Sequence, residues 1–175
     1  TVVTVSNINS AADQLVNDNS RVDLFKLNQK ALLDLGFSKG KVLSFLNHPY
    51  YTPRELTYMR FYLEKLKRVQ GYSVLLDAAI GAVSEIPAGK VLYEMQVAAD
   101  SVGDMPRAMK LVRIPEGILL ADADHVALIT SYDFLDNSPL GTRVTEKVLN
   151  FRKTLGKRTA EIWNGGAVSS SFAGT

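Results

Sequence analysis

Apolar residues recur at helical spacing through the first hundred positions. Residues 22–35 carry leucines along one helix face, and Gly36 follows where a helix commonly ends with a left-handed glycine. A short helix over residues 38–46 is predicted next. It must end near His48, because the residue before a proline disfavours helical geometry.

The clearest helix start in the chain is Thr52-Pro53-Arg54-Glu55. Thr52 can accept a hydrogen bond from the first turn, Pro53 suits the first helical position, and Glu55 can bond the amide of Thr52. The helix that follows has one apolar face, which must be buried: Leu56, Met59, Leu63 and Leu66. We therefore expect residues 43–69 to form the framework of this half, with the helix ending before Gly71.

Two further helices complete the predicted helical half. Residues 72–83 are apolar on most sides, which indicates a buried helix. Pro87 is predicted to open the next helix, and Gly103 and Pro106 are predicted to end the helical half. The inner stripe of that helix is Val91, Leu92, Met95, Ala98 and Val102.

The hydrophobic period then changes to that of strands. Strands are predicted over residues 108–114, 118–121, 126–130 and 159–163, with turns at 115–117 and at Gly165-Gly166. A helix from about Thr142 precedes the fourth strand and ends at Gly156. Its stripe is Val144, Val148, Phe151 and Leu155.

This order of elements predicts an α+β fold, because helices and strands are segregated along the chain. A helical half over residues 12–104 is expected to pack on a small β-β-β-α-β sheet unit over residues 107–175. We expect one domain over residues 1–175, since no linker separates the halves.

Residues 1–5 form a β-branched run that could be a strand. Such a strand would pair at the edge of the chain's own sheet, or the segment would be a disordered tail. The alternative is that it adds a strand to a neighbouring subunit.

Composition limits the classes of function. The formal net charge is only +2, from 20 basic and 18 acidic residues, so nucleic acid is not the expected partner. Cysteine is absent, which removes disulfides, thiol catalysis and thiolate metal sites. No apolar run is long enough to span a membrane. The Thr-, Ser- and Asn-rich opening, which begins at Thr1, is typical of a mature exported protein and predicts an extracytoplasmic location, periplasmic or secreted.

The densest group of chemically capable residues is Asp122-Ala123-Asp124-His125, between two predicted strands. Asp122 and Asp124 could hold a hard cation, or one of them could orient His125 as a base. Asp-X-Asp between strands is also ordinary turn chemistry, and this is the interpretation that we favour. No metal site and no cofactor is predicted.

His48 is the second candidate. It precedes Pro49 and lies near Tyr50 and Tyr51, a polar and aromatic corner of the kind that can line a pocket. It could instead cap the preceding helix through free carbonyl groups, which is the interpretation we favour. A metal site shared with His125 would require the two halves to pack face to face.

Two further features have weaker functional interpretations. Residues 164–171 form a glycine- and serine-containing loop after a strand, but they lack the spacing of a phosphate-binding motif. Lys147, Arg152 and Lys153 lie on the predicted helix from Thr142, where interspersed acidic residues favour a solvated face over an anionic partner.

Several spaced motifs resemble those of an uncharacterised family of exported bacterial proteins. They are an Asn-x-Pro-x-Tyr-x-Pro corner at residues 47–53, a Gly-Ile-Leu-Leu strand from Gly117, Asp124-His125, and Glu-Ile-Trp at residues 161–163. The resemblance implies export and an α+β fold. It implies no activity and no catalytic residues.

Together these patterns predict a non-catalytic exported binding module, or a structural subunit of a larger assembly. A protein partner or self-assembly is expected, because two histidines and no cysteine form a poor catalytic inventory. The alternative is a hydrolase or metal-assisted enzyme that uses Asp122, Asp124 and His125, with His48 as a further member.

Overall fold

The computed structural model describes residues 5–102, 110–132, 134–135, 138–164 and 167–168. Within these residues the chain forms seven helices and six strands, with the first six helices preceding the strands. The α+β prediction is therefore confirmed. The helices are α1 Val5–Asp18, α2 Arg21–Asp34, α3 Lys39–Leu46, α4 Pro53–Leu66, α5 Val74–Ile80, α6 Glu85–Ser101 and α7 Pro139–Thr154. The strands are β1 Lys110–Ile114, β2 Gly117–Ala121, β3 His125–Thr130, β4 Phe134–Leu135, β5 Thr159–Asn164 and β6 Ala167–Val168.

The chain divides into two compact units. The first unit comprises residues 1–68 and 72–106, and the second comprises Val69–Gly71 and residues 107–175. The single domain that the sequence predicts over residues 1–175 stays a prediction. Among the described residues, no helix has the length and apolar character needed to cross a bilayer.

Helix α4 is the centre of the first unit. The predicted cap is present: the Thr52 side chain accepts the N–H of Glu55 at 3.2 Å, and Glu55 Oε2 accepts the N–H of Thr52 at 2.7 Å. The apolar face of α4 is buried as predicted, and α1, α2 and α6 pack against this helix. The sequence at residues 52–66 therefore determines both where α4 begins and which side faces the core.

Two helix starts beside prolines differ from the prediction. Helix α6 begins at Glu85, so Pro87 is its third residue rather than its first, and α7 begins at Pro139 rather than near Thr142. Proline lacks an N–H, and this is harmless anywhere in the first turn, where amides have no intrahelical acceptor. A proline therefore marks the first turn of a helix without fixing its first residue.

The strand predicted over residues 1–5 is wrong at Val5, which begins helix α1; residues 1–4 lie outside the described part of the chain. Ile8 and Ala12, four residues apart, are buried as helical spacing requires. Tyr62 donates to Asn9 Oδ1 at 2.8 Å, and Arg54 lies 2.9 Å from Asp13. Packing and polar contacts with α4 therefore stabilise α1 as a helix, although its Ser and Asn residues have low helix propensity.

The second unit contains a four-stranded sheet in the order β1-β2-β3-β5. The first two pairings are antiparallel, and β3 pairs with β5 in parallel with His125 opposite Thr159. Helix α7 connects these parallel strands and packs on one sheet face. The buried residues of this core are Leu119, Ala121, Val126, Leu128, Leu135, Val144 and Val148.

The predicted β-β-β-α-β order is present in the described residues, with two additions. The short strands β4 and β6 pair with each other in parallel. The main chain of Gln70 also extends this unit, because its carbonyl oxygen accepts the N–H of Leu111 at 2.8 Å. Residues 103–109 and the predicted Gly165-Gly166 turn lie outside the part of the chain that the structure describes.

Gly117 is the position in the sheet where a side chain is least tolerable. Its φ is +149°, and a Cβ atom there would overlap the carbonyl oxygen of Ile129 on the neighbouring strand. We expect Gly117→Ala to lower the free energy of unfolding of the second unit by about 2–4 kcal/mol. Urea unfolding followed by the fluorescence of Trp163, the chain's one tryptophan, measures this change.

Gly40→Ala is the matched control, because Gly40 lies in α3 and a Cβ atom there meets nothing within 4 Å. We expect it not to lower the urea midpoint of the Trp163 signal, because alanine favours a helix over glycine. Equal urea midpoints for Gly117→Ala and the unsubstituted protein would contradict the packing described for β2 and β3.

Tyr62 links the stability of the first unit to alkaline pH. Burial, and secondarily the charge of Asp100, raise the pKa of Tyr62 to about 12. The unfolded chain ionises this phenol from about pH 10, whereas the folded chain keeps it neutral, so the free energy of unfolding falls as pH rises from 10 towards 12.

We expect Tyr62→Phe to be about 1 kcal/mol less stable than the unsubstituted protein at pH 7, because the bond to Asn9 is lost. Between pH 10 and 12 this difference should shrink or reverse, because phenylalanine cannot ionise. Circular dichroism at 222 nm during urea unfolding follows the helices at each pH. Parallel pH profiles for the two proteins would contradict the burial of this phenol.

Candidate ligand-binding cleft

Asp122, the first residue of the predicted cluster, is a turn residue. Its Oδ1 accepts the N–H groups of Asp124 and His125, each at 2.8 Å, and its own N–H donates to the carbonyl of His125 at 3.0 Å. One carboxylate oxygen thereby closes the connection between β2 and β3. This geometry agrees with the turn interpretation favoured from the sequence.

Asp124 is exposed and holds the same turn against the start of β5. Its carbonyl oxygen accepts the N–H groups of Arg158 at 2.8 Å and Thr159 at 3.1 Å. Its carboxylate lies 3.6 Å from Arg158 Nε, and both side chains are largely in solvent. An exposed pair of this kind contributes about 0–1 kcal/mol to stability. The main-chain hydrogen bonds of Asp124 are therefore the contacts that hold the turn against β5.

His125 meets partners that the sequence reasoning did not identify. Its Nε2 lies 3.4 Å from Glu161 Oε2, and the same oxygen accepts the indole N–H of Trp163 at 2.8 Å. The imidazole and indole rings are 6.0 Å apart. The parallel register brings the three residues to one sheet face, since His125, Glu161 and Trp163 follow period two on β3 and β5.

The four predicted candidates do not form a metal cluster within the described residues. Nowhere in the described ranges do three His, Asp or Glu side chains come together as metal ligands. Asp122 contacts the main chain of His125, and the carboxylate beside the His125 ring is that of Glu161. His48 belongs to the first unit and His125 to the second, so a site shared by the two stays an untested alternative.

His48 forms the predicted corner between α3 and α4. Asn47 rather than His48 caps α3, because the Asn47 side-chain amide donates to the carbonyl of Leu43 at 2.9 Å. His48 Nδ1 accepts the N–H of Tyr50 at 3.4 Å, which leaves the proton of a neutral ring on Nε2. The imidazole packs 4.8 Å from the ring of Tyr51. Aromatic packing and a hydrogen bond from its own residues therefore fix the conformation of this corner.

A cleft of about 670 Å³ opens beside this corner, entirely within the first unit. Helix α2, the end of α3, the corner and the start of α4 surround it. Its apolar lining includes Val22, Phe25, Leu46, Pro49 and Leu56. Its volume lies within the roughly 300–1,000 Å³ typical of small-molecule sites.

Asn28 is a buried polar residue among those that line this cleft. The side chain is 2% exposed, and its Nδ2 donates to Thr57 Oγ1 at 2.9 Å. Thr57 in turn donates to the carbonyl of Pro53 at 2.8 Å, so its hydroxyl can only accept from Asn28. Asn28 Oδ1 has no hydrogen-bond partner among the described residues. An unpaired buried acceptor costs about 1–3 kcal/mol, which makes this oxygen unusual for a purely structural residue.

Charge in the lining of the cleft has one sign. The ionised side chains that line it are Arg21 and Lys26, both exposed, and the described lining contains no carboxylate. Neither cation forms an ion pair within the described ranges. Asp23, a nearby acid on α2, is hydrogen-bonded to Ser20 at the helix start.

The basic residues in α7 and just after it are mostly explained by local contacts. Lys147 Nζ lies 3.2 Å from Glu116 Oε1, and Lys157 donates to the carbonyl of Ala123 at 3.1 Å. Arg152 and Lys153 lie in the last turn, where positive charge stabilises the helix. The glycine–serine loop considered for phosphate lies largely outside the described residues.

Comparison with known proteins adds no relative: no family model, no curated protein and no solved structure matches this chain. Function is therefore inferred from the geometry of the site.

Proposed function

We propose that this protein is a non-catalytic binding module that holds a small ligand in the cleft beside His48. The observation that carries the proposal is the combination of an open cleft with an apolar lining and the buried, unsatisfied oxygen of Asn28. Ligand sites typically combine an apolar surface with a few placed polar groups. The geometry of the corner supports a preformed site, because Tyr51 is buried and its hydroxyl donates to the carbonyl of Ala79 at 3.3 Å.

A role as a subunit of a larger assembly is compatible with this proposal. Val83 and Ile86 are 79% and 73% exposed and lie close together in the chain, between α5 and the first turn of α6. Exposed apolar side chains in proximity favour contact with a protein partner or a second copy. We further propose a bacterial, extracytoplasmic location on the family resemblance, and no nucleic-acid partner on the small net charge.

The alternative, a hydrolase or metal-assisted enzyme, is supported by one observation. His125 Nε2 is buried beside Glu161, which is an arrangement that a general base can use. Against it, Asp122 has an oxygen committed to two main-chain N–H groups, and Asp124 is exposed beside Arg158. The binding proposal therefore has the stronger support.

The test uses N-phenyl-1-naphthylamine, a neutral fluorescent probe of small-molecule size. We expect saturable binding with one probe per chain, measured by fluorescence excited directly in the probe. Val22→Trp should weaken binding at least about tenfold, because the indole would occupy a cleft whose rim residue Val22 is 62% exposed.

Leu33→Trp is the matched control. Leu33 lies on the same helix, is 39% exposed and is not part of the cleft lining, so this variant should bind the probe as the unsubstituted protein does. Absence of saturable binding, or equal loss in both variants, would contradict the proposed function.

A further inference from the structure

We infer that the ligand of this cleft is an organic anion: an apolar aromatic or aliphatic body with one acidic head group, such as a carboxylate. This inference rests on the proposed function and specifies its ligand class. The observation behind it is the charge of the cleft lining. Arg21 and Lys26 are the charged side chains of the described lining, and both are basic.

Both cations of the lining are available to a ligand. Arg21 begins α2 and Lys26 lies one and a half turns later, and neither side chain has an acidic partner in the described part of the chain. Four other cations of the first unit, Lys30, Lys41, Arg54 and Arg60, do have acidic partners. Lys39, Lys67 and Arg68 form no ion pair in the described ranges either, but they do not line this cleft. Two uncompensated positive charges at one cleft favour a negative ligand group.

Part of the remaining polar lining can donate hydrogen bonds to such an anion. His48 Nδ1 accepts the N–H of Tyr50, so the neutral imidazole carries its proton on Nε2. Gln29 and Asn47 add side-chain amides to the same lining. A carboxylate accepts hydrogen bonds at two oxygens, so it can bond with these donors, whereas Asn28 Oδ1, an acceptor, requires a donor on another part of the ligand.

The cleft has an exposed, basic rim and a buried, apolar interior. The apolar lining, which includes Phe25, Leu46, Pro49 and Leu56, belongs to the same cleft as the cations. Arg21 and Lys26 are exposed, whereas Leu46 and Leu56 are buried, each with 6% of its surface exposed. An amphipathic acid would bury its body against these side chains and keep its charge at the rim, where solvent access lowers the desolvation cost. A free inorganic anion would leave the apolar lining unused.

The experiment compares two probes that differ by a single sulfonate: the neutral N-phenyl-1-naphthylamine and the anionic 8-anilinonaphthalene-1-sulfonate. We expect the anionic probe to bind more tightly, and its affinity to fall as salt is added. The double substitution Arg21→Gln/Lys26→Gln should weaken the anionic probe about three- to tenfold and leave the neutral probe within about twofold.

The matched control is Lys30→Gln/Lys39→Gln, which changes the net charge by the same amount at two positions outside the cleft lining. It should leave the affinity of both probes unchanged. This control separates a local effect of Arg21 and Lys26 from the general field of the protein.

The outcomes distinguish the two proposals. If the neutral probe binds in the cleft but removal of Arg21 and Lys26 leaves the anionic probe equally tight, the organic-anion inference is wrong and the binding function stands. If both double substitutions weaken the anionic probe equally, the inference is also wrong. If neither probe binds saturably, both proposals are wrong.

Discussion

Burial of one face of α4 is the constraint on which the first unit depends. Leu56, Met59, Leu63 and Leu66 are each at most 6% exposed, and three helices pack against α4. Burying a side chain of this size contributes about 1.5–3 kcal/mol, whereas a helix cap contributes about 1 kcal/mol. Burial of the apolar face therefore contributes more to the stability of α4 in this unit than the cap does. The Thr52–Glu55 cap determines where the helix begins.

The same constraint accounts for the cleft. Helix α4 starts at Pro53, and Pro49 prevents α3 from continuing towards it, so the chain must turn between them. The buried ring of Tyr51, bonded to the carbonyl of Ala79, fixes that turn from inside the unit. Helix α2 is held to α4 by the bond from Asn28 to Thr57. The cleft is the space left between α2 and the corner, and it follows from the framework rather than from a separate motif.

Local signals predicted most of the fold. The Thr52–Glu55 cap, the glycine after α2 and the turn around Asp122 all depend on residues within four positions of one another. Helix α1 was missed because its Ser and Asn residues conceal the spacing of Ile8 and Ala12, and β4 and β6 are too short to show a period. No local pattern in the sequence could have predicted the cleft. Asn28 and Thr57 are 29 positions apart, and only packing shows that Arg21 and Lys26 line the same space as His48.

The most direct test of the account is a map of amide chemical shifts during titration with 8-anilinonaphthalene-1-sulfonate. The account predicts saturating shifts in α2, at the end of α3, at residues 47–51 and in the first turn of α4, which together surround the cleft. Shifts centred instead on residues 122–125 and on Glu161 and Trp163 would contradict it and would favour a site at His125.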